Sequence, residues 1–259
     1  MTPRVAWLHV APIKSLRIQE RTRVTLTPRG VDEDRRFCIV DAEDRMLNAK
    51  RVAAFIAVRP EFDEAMTELA LHMPDGTTVR GPVEIGAPVT VSIYRRSVPA
   101  REVRGPFARA LSGLDGRPAR LVRFDDPGEG VDRAAKGGAV SLLSAASLDA
   151  LSEAATADGP VDPRRFRMLI GIAGVPAHAE DGWIGRPVRV GSAVVVPEGN
   201  VGRCAVTTLD PERGVSDLDT LGALARYRGA QATTESLPFG VWARVERPGV
   251  VAVGDDVAV

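Results

Sequence analysis

Gly202-Arg203-Cys204-Ala205-Val206-Thr207-Thr208-Leu209-Asp210-Pro211 joins a run rich in β-branched residues to turn residues at both ends. Glycine before it and Asp-Pro after it bound a predicted strand, Arg203–Leu209. Side chains alternate along a strand, which sets Cys204, Val206 and Thr208 on one side. The same punctuation recurs along the chain. Further strands are predicted at Val5–Ala11, Arg23–Thr27, Arg35–Asp41, Glu68–His72, Val89–Tyr94 and Arg120–Arg123. A second set falls at Phe166–Ile172, Val188–Val190, Ala193–Val196, Val241–Glu246 and Val250–Val253. Turns such as Pro74-Asp75-Gly76 and Pro248-Gly249 separate them. Many short strands at this spacing predict barrels or sandwiches. Three helices are expected, at Ser144–Thr156, Pro106–Leu111 and Asp219–Tyr227. The expected class is therefore mainly β with a few helices, α+β.

The 259 residues carry 34 Lys+Arg against 34 Asp+Glu, 44% hydrophobic residues and 26% charged. That is the composition of a globular protein with a core of its own. The charge balance argues against a nucleic-acid binder, which needs a cationic excess. There is no run of about 18 apolar residues for a membrane span. The first ten residues lack the basic and apolar regions of a secretion signal, so the expected location is cytoplasmic. The two cysteines, Cys38 and Cys204, lie far apart, as reduced thiols would in that compartment. They form no Cys-x-x-Cys pair, and no iron–sulfur cluster is expected. The length suits one large domain or two modest ones. Asp125-Asp126-Pro127-Gly128-Glu129-Gly130-Val131-Asp132-Arg133-Ala134-Ala135-Lys136-Gly137 is polar and aperiodic, and reads as a linker. The expected division is 1–125 and 126–259.

Four segments carry chemistry. Pro12-Ile13-Lys14-Ser15 follows the first strand and offers an ammonium and a hydroxyl to an anion. In Asp34-Arg35-Arg36-Phe37, alternation puts Arg35 on the apolar face with Phe37, where it needs a carboxylate or a bound anion. Arg164-Arg165-Phe166-Arg167 concentrates three guanidiniums, with Arg165 and Arg167 expected on one side. Beside Cys204 stands Arg203, and an adjacent guanidinium can favour the thiolate, the form that binds soft metals or attacks electrophiles. Only three basic residues, Lys14, Lys50 and Lys136, are lysines. No histidine among His9, His72 and His178 has a partner readable from sequence, and all three read as packed or surface residues.

In this order the segments resemble the MOSC-domain family, in the two-part form in which an N-terminal β-barrel domain precedes the MOSC domain. The resemblance is to its amidoxime-reducing members and their bacterial relatives. It extends through Leu142-Leu143-Ser144-Ala145-Ala146-Ser147-Leu148, Ala179-Glu180-Asp181-Gly182-Trp183-Ile184-Gly185, Phe239-Gly240 and Val253-Gly254-Asp255. Arg203–Gly214 is its most specific piece. The resemblance implies a molybdenum cofactor (Mo-molybdopterin) between the two domains, with Cys204 as catalytic residue and thiolate ligand to the metal. Lys14, Ser15, Arg35 and Arg167 fall where the family holds the pterin and its phosphate. Lys136, Ser147, Arg165 and Arg203 complete the expected cofactor-binding set.

The implied activity is two-electron reduction of small N-oxygenated substrates such as hydroxylamines, amidoximes and N-oxides. Electrons would come from a separate donor protein of ferredoxin, flavoprotein or cytochrome type. The alternatives are a carrier of the cofactor or of sulfur, and a Cys204-dependent biosynthetic enzyme without molybdenum. Two segments depart from the family pattern. Met168-Leu169 follow Arg167 where Pro-Asn is usual. Lys136-Gly137-Gly138-Ala139 stands where an Asp-Thr/Ser-Pro segment is common; its amides and ammonium can still cradle a phosphate.

Overall fold

The computed structural model describes residues 2–259. Its strands are β1 (Arg4–Val10), β2 (Gln19–Arg21), β3 (Arg23–Leu26), β4 (Phe37–Val40), β5 (Arg59–Phe62), β6 (Glu68–His72), β7 (Thr78–Pro82), β8 (Glu84–Ile93) and β9 (Arg96–Arg104). There follow β10 (Arg120–Phe124), β11 (Val140–Ser144), β12 (Ile170–Ala173), β13 (Val188–Val190), β14 (Ala193–Gly202), β15 (Pro238–Arg247), β16 (Gly249–Ala252) and β17 (Val257–Ala258). The helices are α1 (Phe107–Ser112), α2 (Ala145–Ala154) and α3 (Thr220–Arg228). The chain is thus mainly β with a few helices. No helix among the described residues is long and apolar enough to cross a membrane.

An eight-stranded sheet runs β17-β13-β14-β15-β11-β12-β1-β2, and a four-stranded one β4-β10-β9-β8. Two smaller sheets, β5-β6-β7 and β16-β3, accompany them. Strand pairing cuts across the 1–125/126–259 division expected from sequence. β1 pairs antiparallel with β12 in the eight-stranded sheet, and β3 with β16 in a sheet of their own, so strands from the first 26 residues pair with strands of the second half. At the β1–β12 crossing, Gly171 leaves room for the Trp7 indole; a Cβ there would sit 2.0 Å from the ring.

Two of the apolar clusters meet at the junction between the halves. One gathers Val5, Leu8, Leu142, Ile170, Ile172 and Val241. The other gathers Ile13, Leu16, Phe37, Phe55, Leu69 and Leu121. The chain leaves the first core after Val10 and enters the second at Ile13. Whatever lies between, at Ala11–Ser15, is held between the two halves.

Three predicted strands are corrected near that junction. Arg203–Leu209 is not a strand: β14 ends at Gly202, and Ala205–Thr208 is a 3-10 turn. Threonine hydroxyls draw the backbone out of the ladder, since Thr207 Oγ1 donates to Cys204 O (3.0 Å) and Thr208 Oγ1 to Ala205 O (2.8 Å). Cys204 therefore does not share a strand face with Val206 and Thr208. Phe166–Ile172 begins as a 3-10 turn, Pro163–Phe166, which Asp162 caps by accepting from Arg164 N–H (2.8 Å). Arg167 ends the turn at φ 54°, and β12 starts only at Ile170. Arg35 also precedes its strand, at φ 53°, so it does not alternate with Phe37.

Behind the second half, Glu180 is fully buried. Burial pushes its carboxyl up to about 7, against the pull of backbone N–H groups at Glu180 and Ser144. Its Oε2 has no partner. The unfolded chain ionises this group near 4.5 and the folded chain near 7, so the carboxyl withdraws stability as pH rises through that window. His9 and His178 act oppositely. Burial lowers each to about 4, so they withdraw stability as pH falls from 6.5 towards 4. Glu180→Gln removes only the first effect. Its melting temperature should exceed that of the parent at pH 8, by the equivalent of about 3 kcal/mol at most. The gain should vanish at pH 4.5 when both are melted by calorimetry.

Candidate functional site

The turn after β1 is fixed by one carboxylate. Asp34 accepts from Ala11 N–H (2.7 Å) through Oδ1 and pairs with the Arg35 guanidinium through Oδ2. Arg35 N–H in turn donates to Ala11 O (2.8 Å), and Lys14 N–H to Phe37 O (2.8 Å). These bonds aim Lys14, Ser15 and Arg35 into a cavity between the halves, with about 1050 Å³ of atom-free space. Cys204, Arg165, Arg167 and Arg203 line it from the other side. Seven of the nine sequence-predicted site residues thus meet in one place.

Lys136 and Ser147 do not line the cavity. Lys136 is exposed on a short 3-10 turn. Gly138, two residues on, does line the cavity, where a Cβ would sit 2.8 Å from the Trp242 ring. Ser147 is fully buried on α2, accepting from His178 N–H (2.8 Å) and facing Glu180.

The cavity is basic in a chain of zero net charge. Seven cationic side chains line it, against the carboxylates Asp34 and Asp132. Their partners differ. Arg165 is spent on a two-pronged pair with Asp217 (2.7 and 2.9 Å). Arg133 pairs with Glu235, and Lys14 with Asp132. Arg203 anchors the backbone by donating to Phe166 O (2.9 Å) and Phe239 O (2.9 Å) and touching Met168 Sδ (2.9 Å). Its guanidinium stands 5.4 Å from the Phe166 ring centroid. Burial lowers its pKa to about 9. Arg203 thus fixes the backbone on which Cys204 sits, and its N–H groups are committed to protein carbonyls. Met168, one of the departures from the family pattern, is buried and takes part in this anchor.

Arg167 is different. It donates to Leu16 O (2.8 Å) and has no carboxylate within salt-bridge distance among the described residues. Burial, and the like charge of Arg35, lower its pKa to about 10. A cation so placed calls for an anion from outside the chain. Cys204, a half-buried free thiol, faces the same space. Cys38 is fully buried, and burial pushes its thiol up to about 12, so it is inert. No cluster of three or more His, Cys, Asp or Glu side chains could hold a bare metal ion among the described residues. One soft thiolate in a basic cavity instead suits an anionic metal complex that brings its own other donors.

Two lining residues gave no sequence signal. Asp132 lies within the stretch read as a linker, which in the structure crosses the cavity as a strap. Lys14 Nζ donates to Gly130 O (2.8 Å) and to Asp132, and a Cβ at Gly130 would sit 2.1 Å from Arg35 O. Desolvation by the protein around the cavity mouth raises the Asp132 pKa, but the Lys14 ammonium outweighs it and holds the carboxyl at about 2. Tyr94 occupies the two-residue tip between β8 and β9, at φ 53°. Glycine normally takes that kind of position; tyrosine there costs about 1–3 kcal/mol.

Residues 2–110 match the model of the MOSC N-terminal beta barrel domain, and residues 130–258 that of the MOSC domain. Mitochondrial amidoxime-reducing component 1 of Homo sapiens is 25% identical over 282 residues, covering 98% of this chain and 82% of that protein. Its Mus musculus counterpart is 27% identical over 279 residues, covering 98% and 81%. Molybdenum cofactor sulfurase of Drosophila grimshawi is 28% identical over 261 residues, covering 93% of this chain and 32% of that protein.

The cavity charges lead to a binding test. Arg167→Ala should weaken inorganic pyrophosphate binding about tenfold, since a charged hydrogen bond is worth about 1.5–3 kcal/mol. Lys136→Ala should leave it unaltered. Titration calorimetry of both variants decides.

Proposed function

The chain belongs to the MOSC-domain family, and we propose that it holds a molybdenum cofactor between its two halves and reduces small N-oxygenated molecules. The observation that carries this reading is a free thiol, Cys204, opening into a cavity whose basic lining contains an unpaired guanidinium. The Cys204 thiolate would be the protein's ligand to the metal. Arg167 and Arg35, with the Lys14 ammonium and the Ser15 hydroxyl, would hold the pterin phosphate. When bound, the cofactor supplies the redox chemistry: two electrons and two protons break the N–O bond, and the oxygen leaves as water.

The chain's own residues do the rest. Arg203 keeps the Cys204 backbone from moving through its three anchors. The strap keeps Asp132 over the cavity. A reducing compartment such as the cytoplasm keeps Cys204 as the thiol this role requires. The electrons come from a separate donor protein of ferredoxin, flavoprotein or cytochrome type.

A carrier of the cofactor or of its sulfur is the second reading, favoured by the likeness to molybdenum cofactor sulfurase over 93% of this chain. Protein purified from a host that makes the cofactor should contain near-stoichiometric molybdenum and pterin. It should reduce benzamidoxime with an artificial electron donor. Cys204→Ser should reduce that activity to background while melting like the parent. Bound cofactor without reduction would favour the carrier. Protein free of pterin, or full activity in Cys204→Ser, would overturn the molybdenum reading.

A further inference from the structure

Resting on that reading, we propose that Asp132 and Tyr94 form a substrate-recognition pair selecting N-hydroxylated amidines and guanidines over N-oxides that lack an N–H. Both residues line the cavity that Cys204 faces, and they reach it from different elements. Asp132 comes from the strap and Tyr94 from the β8–β9 tip. Arg96, beside that tip, ties the two together by donating to Glu129 O (2.8 Å) and Val131 O (3.3 Å) of the strap.

The pair has hydrogen-bonding capacity the fold does not use. Asp132 pairs with Lys14 through Oδ1, and Oδ2 has no hydrogen-bond partner among the described residues. Its side chain is 55% exposed. Tyr94 is 58% exposed, and its hydroxyl has no hydrogen-bond partner among the described residues. Partial desolvation at the cavity wall, and the charge of Asp132, raise the pKa of the phenol, so it stays protonated. The strained backbone at φ 53° is tolerated for a side chain that fills no core.

The two groups match one chemical class. An ionised carboxylate accepts N–H bonds from an amidine or guanidine, while a phenol donates to the oxygen on nitrogen. Asp132 is one of only two carboxylates lining the cavity; the other, Asp34, is buried and already committed to Ala11 and Arg35. A tertiary amine N-oxide can use only the phenol.

The test uses protein purified from a cofactor-making host. Calorimetric titration with benzamidine probes the N–H end without any reduction step. The parent should bind it, and Asp132→Asn should bind about tenfold more weakly, as loss of one charged hydrogen bond requires. In steady state, the ratio of kcat/KM for benzamidoxime over that for trimethylamine N-oxide should fall about tenfold in Asp132→Asn. A general fault in folding lowers both rates and leaves the ratio alone, which would overturn the proposal. Tyr94→Phe should lower kcat/KM for both substrates while melting like the parent; activity equal to the parent would remove Tyr94 from the pair and overturn it. Equal benzamidine affinity in parent and Asp132→Asn, or no binding by the parent, would also overturn it. If Asp132-dependent benzamidine binding is seen but neither substrate is reduced, the recognition pair stands and the reductase reading falls.

Discussion

The junction between the two halves depends on the Asp34 carboxylate. It is almost wholly buried, and both of its oxygens are used, one on Ala11 N–H and the other on the Arg35 guanidinium. A buried carboxylate is tolerable only with such full pairing. The pairing fixes the chain at the point where it leaves one core and enters the other. Lys14, Ser15 and Arg35 acquire their direction from it, and the basic wall of the cavity follows.

The opposite wall is held by a different device. Arg203 has no carboxylate partner and is bound to carbonyl oxygens of two separate segments, at Phe166 and Phe239. It draws the turn after β14 against the turn before β12, so Cys204 and Arg167 come to face the same space. Each wall is thus organised by one buried charged group whose hydrogen bonds are local in space and remote in sequence. The strap from 125 to 137 bridges the walls. Arg29 reaches Asp126, Arg96 reaches Glu129 and Lys14 reaches Asp132, while Arg133 reaches Glu235 on the far side. A stretch with few apolar residues to bury is held in place largely by ion pairs.

The consequence is a cavity of uneven charge. Arg165 and Arg133 are compensated from behind, by Asp217 and Glu235, whereas Arg167, Arg203 and Lys50 have no carboxylate partner among the described residues. A carboxylate from the strap and a phenol from the β8–β9 tip line the same cavity.

The sequence by itself determined the β-rich class, the three helices, the exact limits of Glu68–His72 and Val188–Val190, and the residue types that carry the chemistry. Period-two patterning and turn residues are local properties, and locally they are readable. Its strand assignments failed at Arg35, Arg167 and Cys204, the points where side chains override the pattern. There Asp34, Asp162 and the hydroxyls of Thr207 and Thr208 bond to backbone and bend it out of the ladder. Ser147 and Lys136 have suitable functional groups, but nothing local tells that one is sealed beneath α2 and the other faces solvent. Tertiary structure alone decided that β1 belongs to the second half's sheet, that the apparent linker is a strap, and that Asp132 and Tyr94 line the same cavity as Cys204. Those facts depend on contacts between residues tens to hundreds of positions apart, and no local pattern in the chain encodes them.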